Sequence, residues 1–138
     1  MSFRTLFNWI FYQSIAQVCQ DAEQIASYFQ KLTIINEVDS KYIGQQIISE
    51  EELKTFLHAN FKCFNPIQTK FPIHANCSNA SLTRLFYDFY LEEYKKDSTS
   101  AAIFHKMLKD NFINFNNSTL GTIKKSFSND QTMKYPFK

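Results

Sequence analysis

Across its 138 residues the chain has two glycines, three prolines, one tryptophan and two arginines. Each shortage excludes something. Two glycines leave no material for a phosphate-cradling loop, a dinucleotide fingerprint or a glycine-rich lid, all of which need backbone where a side chain would intrude. So few glycines and prolines also argue against an all-β fold, whose many tight turns draw on both. With two arginines against thirteen lysines, bidentate readout of guanine or carboxylate is scarcely available. Nucleic-acid contact would instead rest on lysine point charges and aromatic stacking. No apolar run approaches the roughly 20 residues of a membrane span. The apolar stretch Leu6–Ile15 is interrupted by Asn8 and Gln13, and no small-residue cleavage site follows it. The expectation is a protein without a membrane segment. The three cysteines, Cys19, Cys63 and Cys77, are an odd number without framework spacing, which suits a reduced, cytoplasmic setting.

What the chain does have is aromatic mass, 17% of its residues, at an ordinary 44% hydrophobic content. Its charge is split. Residues 1–53 carry three basic and seven acidic groups, and residues 54–138 carry twelve basic and six acidic. Two electrostatically distinct portions suit docking on a charged macromolecule better than turnover of a small neutral metabolite.

Apolar periodicity predicts a mostly α, single-domain chain of about five helices over residues 1–138. Phe11, Ile15, Val18, Ala22, Ile25, Phe29 and Leu32 form one stripe on a long helix from about Ser2 to Thr33. Such a helix would outrun a core of this size, so its stripe is also a candidate homodimer seam. Residues 33–48, rich in isoleucine without helical period, read as a loop or a short β-hairpin. Ser49 with Glu52 reads as a capping box for a second helix to about Phe64. A third helix is expected over 81–96. A fourth runs from Ser98 or Ser100 to about Ile113, and a short fifth over 119–127 is capped by Ser118. The closing stretch 128–138 is expected to be loosely ordered unless the aromatics of Tyr135-Pro136-Phe137 dock.

One internal echo stands out. Residues 56–65 and 107–116 align at an offset of 51, matching Leu57 with Leu108, Asn60 with Asn111, Phe61 with Phe112, Phe64 with Phe115 and Asn65 with Asn116. Both copies fall at helix ends, so a pseudo-symmetric packing of the two is one expectation.

Catalytic constellations are weak. His58, Cys63, His74 and Cys77 have the donor types of a tetrahedral zinc site, but their spacing matches no familiar finger. Asp88 with Glu93 and Lys95 loosely imitates a nuclease set, yet these residues fall on an amphipathic helix where charges at i and i+4 are ordinary neighbours. No cysteine and histidine are arranged locally as a nucleophile pair. The expectation is no enzyme activity and no cofactor. The fourth and fifth helices have helix-turn-helix dimensions, with Lys106, Lys109, Thr119, Thr122, Lys124 and Lys125 as candidate contacts to nucleic acid or partner. Trp9, Tyr12, Tyr28, Tyr87 and Tyr94 are candidate partner-binding aromatics, because so many rings exceed what a small core can take.

The repeated Asn-Phe-x-x-Phe-Asn helix ends, with the run Ser118–Phe127 after the second, resemble small accessory-genome proteins of AT-rich Bacteroidetes carried on prophages and mobile elements. That resemblance covers about 40 residues and is compositional as much as positional. It implies either an inhibitor of the anti-CRISPR kind, docking on a host ribonucleoprotein effector or its guide RNA, or a helix-turn-helix DNA-binding regulator.

Overall fold

Ser49 and Glu52 close a reciprocal capping box. The Glu52 amide donates to Ser49 Oγ (3.1 Å), and the Ser49 amide donates to Glu52 Oε1 (2.8 Å). Two donors that the first helical turn leaves without partners are thereby satisfied, which fixes the start of the helix Glu50–Phe61. The computed structural model describes residues 22–61, 72–93, 98–128 and 135–137. Among these the architecture is mostly α. The helices are α1 (Ala22–Phe29), α2 (Glu50–Phe61), α3 (Asn79–Glu93), α4 (Ser98–Asn111) and α5 (Leu120–Ser126), with 3-10 turns at Gln30–Thr33, Ser40–Tyr42 and Ile113–Phe115.

The rings account for the core. Phe29 lies 4.9 Å from Phe89, 5.2 Å from Phe56, 5.3 Å from Phe86 and 5.8 Å from Phe61, centroid to centroid. Phe112 joins this group at 5.8 Å from both Phe56 and Phe86. Edge-to-face and tilted pairs add about 0.5–1.5 kcal/mol each beyond their burial. Ile25, Phe29 and Leu32 are all sealed in this core. The end of the long stripe is therefore consumed within the chain, which corrects the dimer-seam reading for these residues. Phe11, Ile15 and Val18 lie outside the described residues.

Several boundaries shift from expectation, and of the two readings of 33–48 the loop holds. The first helix tightens into a 3-10 turn over its last four residues. Among the described residues no strand pair forms in 33–48, where one antiparallel bridge joins Ile35 to Gln46. The fourth helix stops at Asn111 because Phe112 turns extended (φ −120°, ψ 126°) and forms a parallel bridge with Ile73. The cap of α5 is Thr119, not Ser118: the Ser118 amide is committed to the carbonyl of Phe115 (3.0 Å), and Thr119 Oγ1 accepts from the Thr122 amide (3.1 Å).

The internal echo is physical. Asn60 and Asn111 hydrogen-bond reciprocally across α2 and α4. Asn60 Nδ2 donates to Asn111 Oδ1 (2.9 Å), and Asn111 Nδ2 donates to Asn60 Oδ1 (3.1 Å). Each amide also donates to the carbonyl four residues back, of Phe56 (2.7 Å) and Met107 (2.8 Å). Repeated sequence thus yields a local two-fold pairing with both amides buried. The aromatics near the end of the chain dock as well: Tyr135 and Phe137 are 8% and 3% exposed.

Candidate interaction surface

Two of the four basic candidates are already engaged within the fold. Lys109 Nζ donates to the carbonyls of Phe115 (3.1 Å) and Asn116 (3.3 Å), satisfying backbone acceptors just past α4. Lys106 pairs with Asp110 at 3.1 Å, one turn on. Thr119 and Thr122 hydroxyls bond each other at 3.0 Å at the α5 cap. Lys124 and Lys125 remain exposed on α5. Beside them, His105 packs edge-on against Phe127 at 4.5 Å. Its Nε2 is buried and finds no hydrogen-bond partner among the described residues. Burial, and then the charge of Lys124, lower the His105 pKa below its ordinary value.

The aromatic candidates divide differently from expectation. Tyr28 is buried, not displayed: its hydroxyl donates to the Leu85 carbonyl, its ring lies 4.9 Å from Phe89, and desolvation raises its pKa. Tyr90 is buried too. Tyr87 is half-buried, with Phe127 standing edge-on at 5.1 Å. The core takes more rings than expected because they interlock at offset angles. Trp9, Tyr12 and Tyr94 fall outside the described residues.

Among the described residues no group of three or more His, Cys, Asp or Glu could hold a metal ion. Cys77 is buried, its thiol pushed up by desolvation and then by Asp39, whereas His74 is exposed on the loop side. His58 is half-buried on α2, and Cys63 lies outside the described residues. Thus the zinc reading gains nothing from His58, His74 and Cys77. A cavity of about 120 Å³ between the start of α3 and α5 is lined by Thr83, Phe115, Ser118, Thr122 and Ser126. That is well below the roughly 300 Å³ at which small-molecule pockets begin.

The surface that sequence reasoning missed is the loop between Leu32 and Ile48. Asn36 is buried at its centre and anchors it. Asn36 Oδ1 accepts from the amides of Val38 and Asp39 (both 3.0 Å), while Nδ2 donates to Asp39 Oδ2 (2.9 Å) and to the Asn76 carbonyl (2.9 Å). Asp39 Oδ2 also accepts from the Ser78 amide (3.2 Å) and Ser81 Oγ (3.3 Å), tying the loop to the start of α3. Backbone bonds Asn36 N to Gln45 O and Gly44 N to Asn36 O, both 2.8 Å, close the loop. Gly44 sits at φ +83°, where a side chain would be strained. On this fixed frame Ile35 and Ile43 are 49% and 55% exposed, with Ile34 beside them at 36%. Lys41 lies over the Tyr42 ring at 5.4 Å, and Tyr42 lies 6.2 Å from His74. A usable signal was present in Asn36-x-x-Asp39, an Asx-turn pattern, followed by Gly44.

No protein-family model, no curated protein and no solved structure matches the chain. Among the described residues, no helix is long and apolar enough to cross a membrane.

Proposed function

We propose that the protein is a non-catalytic binding protein that occupies a surface of a larger macromolecular partner. The observation that carries this reading is the Asn36-anchored loop with Ile35 and Ile43 on its outside. An exposed apolar loop already held rigid gives up little conformational entropy when it docks, so burial of its isoleucines is kept as affinity. The resemblance of the helix ends to phage and mobile-element proteins makes a host ribonucleoprotein effector the partner class to test first, with the exposed Lys124 and Lys125 as candidates to touch its RNA. The regulator reading is weaker. Helix α5 has seven residues, and Lys109 is spent on the carbonyls of Phe115 and Asn116.

The test is affinity capture from extracts of the native host, with and without nuclease, using three chains. Wild type and K124E/K125E should retain one protein partner after nuclease treatment. The variant I35D/I43D should lose it by a factor of about 10 or more, since about half of each isoleucine is left to bury and full burial is worth about 1.5–3 kcal/mol. Recovery of nucleic acid alone, abolished by K124E/K125E and indifferent to I35D/I43D, would establish the regulator instead.

A further inference from the structure

Residues 135–137 dock against α3. Arg84 and Asp88 stand one turn apart, with Arg84 Nε 3.8 Å from Asp88 Oδ2. Between them they read one tyrosine from two sides. The Arg84 guanidinium lies over the Tyr135 ring at 4.1 Å, and the Tyr135 hydroxyl donates to Asp88 Oδ2 at 3.3 Å. The stacked cation recognises the aromatic face, and the carboxylate recognises the phenolic O–H. Phe137 packs edge-on to Tyr135 at 5.6 Å and is almost fully buried with the core. Pro136 between them fixes its own backbone angle and restricts that of Tyr135, so the segment is partly ordered before it docks. Selective contacts to the face and the hydroxyl of one ring, beside a second ring that is itself buried, are contacts of the kind by which a surface recognises a short peptide.

We propose that this surface is a peptide-binding site for a tyrosine–proline–phenylalanine segment, and that residues 135–137 are its resident occupant, which a partner's segment of the same chemistry displaces. The site lies on α3 and is independent of the isoleucine loop, so failure of either reading leaves the other standing.

The probe is a labelled synthetic peptide, Lys-Tyr-Pro-Phe-Lys, copying residues 134–138, followed by fluorescence anisotropy. The receptor is the full chain carrying Y135S/F137S, which leaves the site empty. This variant should bind the peptide, and a Phe-Pro-Tyr version of the probe should bind much more weakly. Adding R84K, which keeps the charge but loses the planar stack, should weaken binding about fivefold or more. Wild type should bind at least about tenfold more weakly than Y135S/F137S, because its site is occupied in most molecules. A natively folded Y135S/F137S chain that ignores the peptide overturns the proposal, as does binding indifferent to R84K or to peptide order. Should Y135S/F137S fail to fold, the decision passes to wild type. There, millimolar peptide must drive the amide resonances of Tyr135 and Phe137 to unbound positions, and resonances that stay in place overturn it equally.

Discussion

The paired asparagines permit a double-mutant test with its magnitude set in advance. Replacing Asn60 by Leu keeps the branched shape but removes both bonds to Asn111, whose Oδ1 and one Nδ2 proton then face hydrocarbon. Asn111 is buried and keeps only its donation to the Met107 carbonyl. An orphaned buried polar group costs about 1–3 kcal/mol, so N60L should destabilise by roughly 2–4 kcal/mol, and N111L by a similar amount. Replacing both partners removes the orphaned groups together, and the double variant should return to within about 1 kcal/mol of wild type. Guanidinium unfolding followed by far-ultraviolet circular dichroism measures this, with an unchanged slope confirming that the unfolded state is comparable. In thermal melts each single variant should fall by roughly 10 °C, and the double by far less. If the single losses simply add in the double variant, to within about 0.5 kcal/mol, the two amides do not act as a unit and the account of the echo fails.

Two further outcomes follow from buried titratable groups. Burial, and then the charge of Lys124, lower the folded pKa of His105 below the ordinary 6.5 of the unfolded chain. The unfolded state therefore binds the proton more readily, and this contribution to stability is full above about pH 6.5 and lost as pH falls below it. Unfolding free energies at pH 7 and 5.5 should differ less in H105L than in wild type; equal differences would refute the linkage. Cys77 is buried, with its thiol raised by desolvation and then by Asp39, so iodoacetamide should label it far more slowly in the native chain than in urea. Peptide mapping by mass spectrometry separates it from Cys19 and Cys63, and equal labelling in both states would place the thiol at the surface.

Local chemistry was legible in the sequence, and long-range partnership was not. Ser49 and Glu52 announced a helix start because both halves of a capping box lie within four residues. The aromatic helix ends announced themselves by repetition, although nothing in either copy says that Asn60 faces Asn111. Lys109 looked like a free basic group, since its reach to the carbonyls of Phe115 and Asn116 depends on where the chain goes after α4. Tyr28 looked like a surface anchor for the same reason: its acceptor, the Leu85 carbonyl, is 57 residues away. The isoleucines of 33–48 read as strand formers, and which of them face outward is decided by Asn36 reaching Asn76, forty residues on. A sequence displays caps and periods, but whether a polar side chain is available to a partner depends on neighbours distant in the chain.

Asparagine also explains how a chain with two glycines turns at all. Gly44 uses left-handed backbone, and elsewhere side-chain amides do what backbone would do in a sheet or a glycine turn. Asn114 accepts from the Ala75 amide (2.9 Å) and donates to the Ala75 carbonyl (2.9 Å), so one side chain takes the place of a neighbouring strand. Asn36 holds two successive amides at its Oδ1 in the same way, and Asn76 donates to the Gln46 carbonyl at 2.9 Å. These bonds fix irregular segments without building a sheet, and so without leaving a long strand edge that would invite unspecific pairing. The loop carrying Ile35 and Ile43 can therefore be both irregular and stiff. An apolar surface on such a frame favours one complementary partner shape, which is the physical requirement for selective occupation of a surface rather than general adhesion.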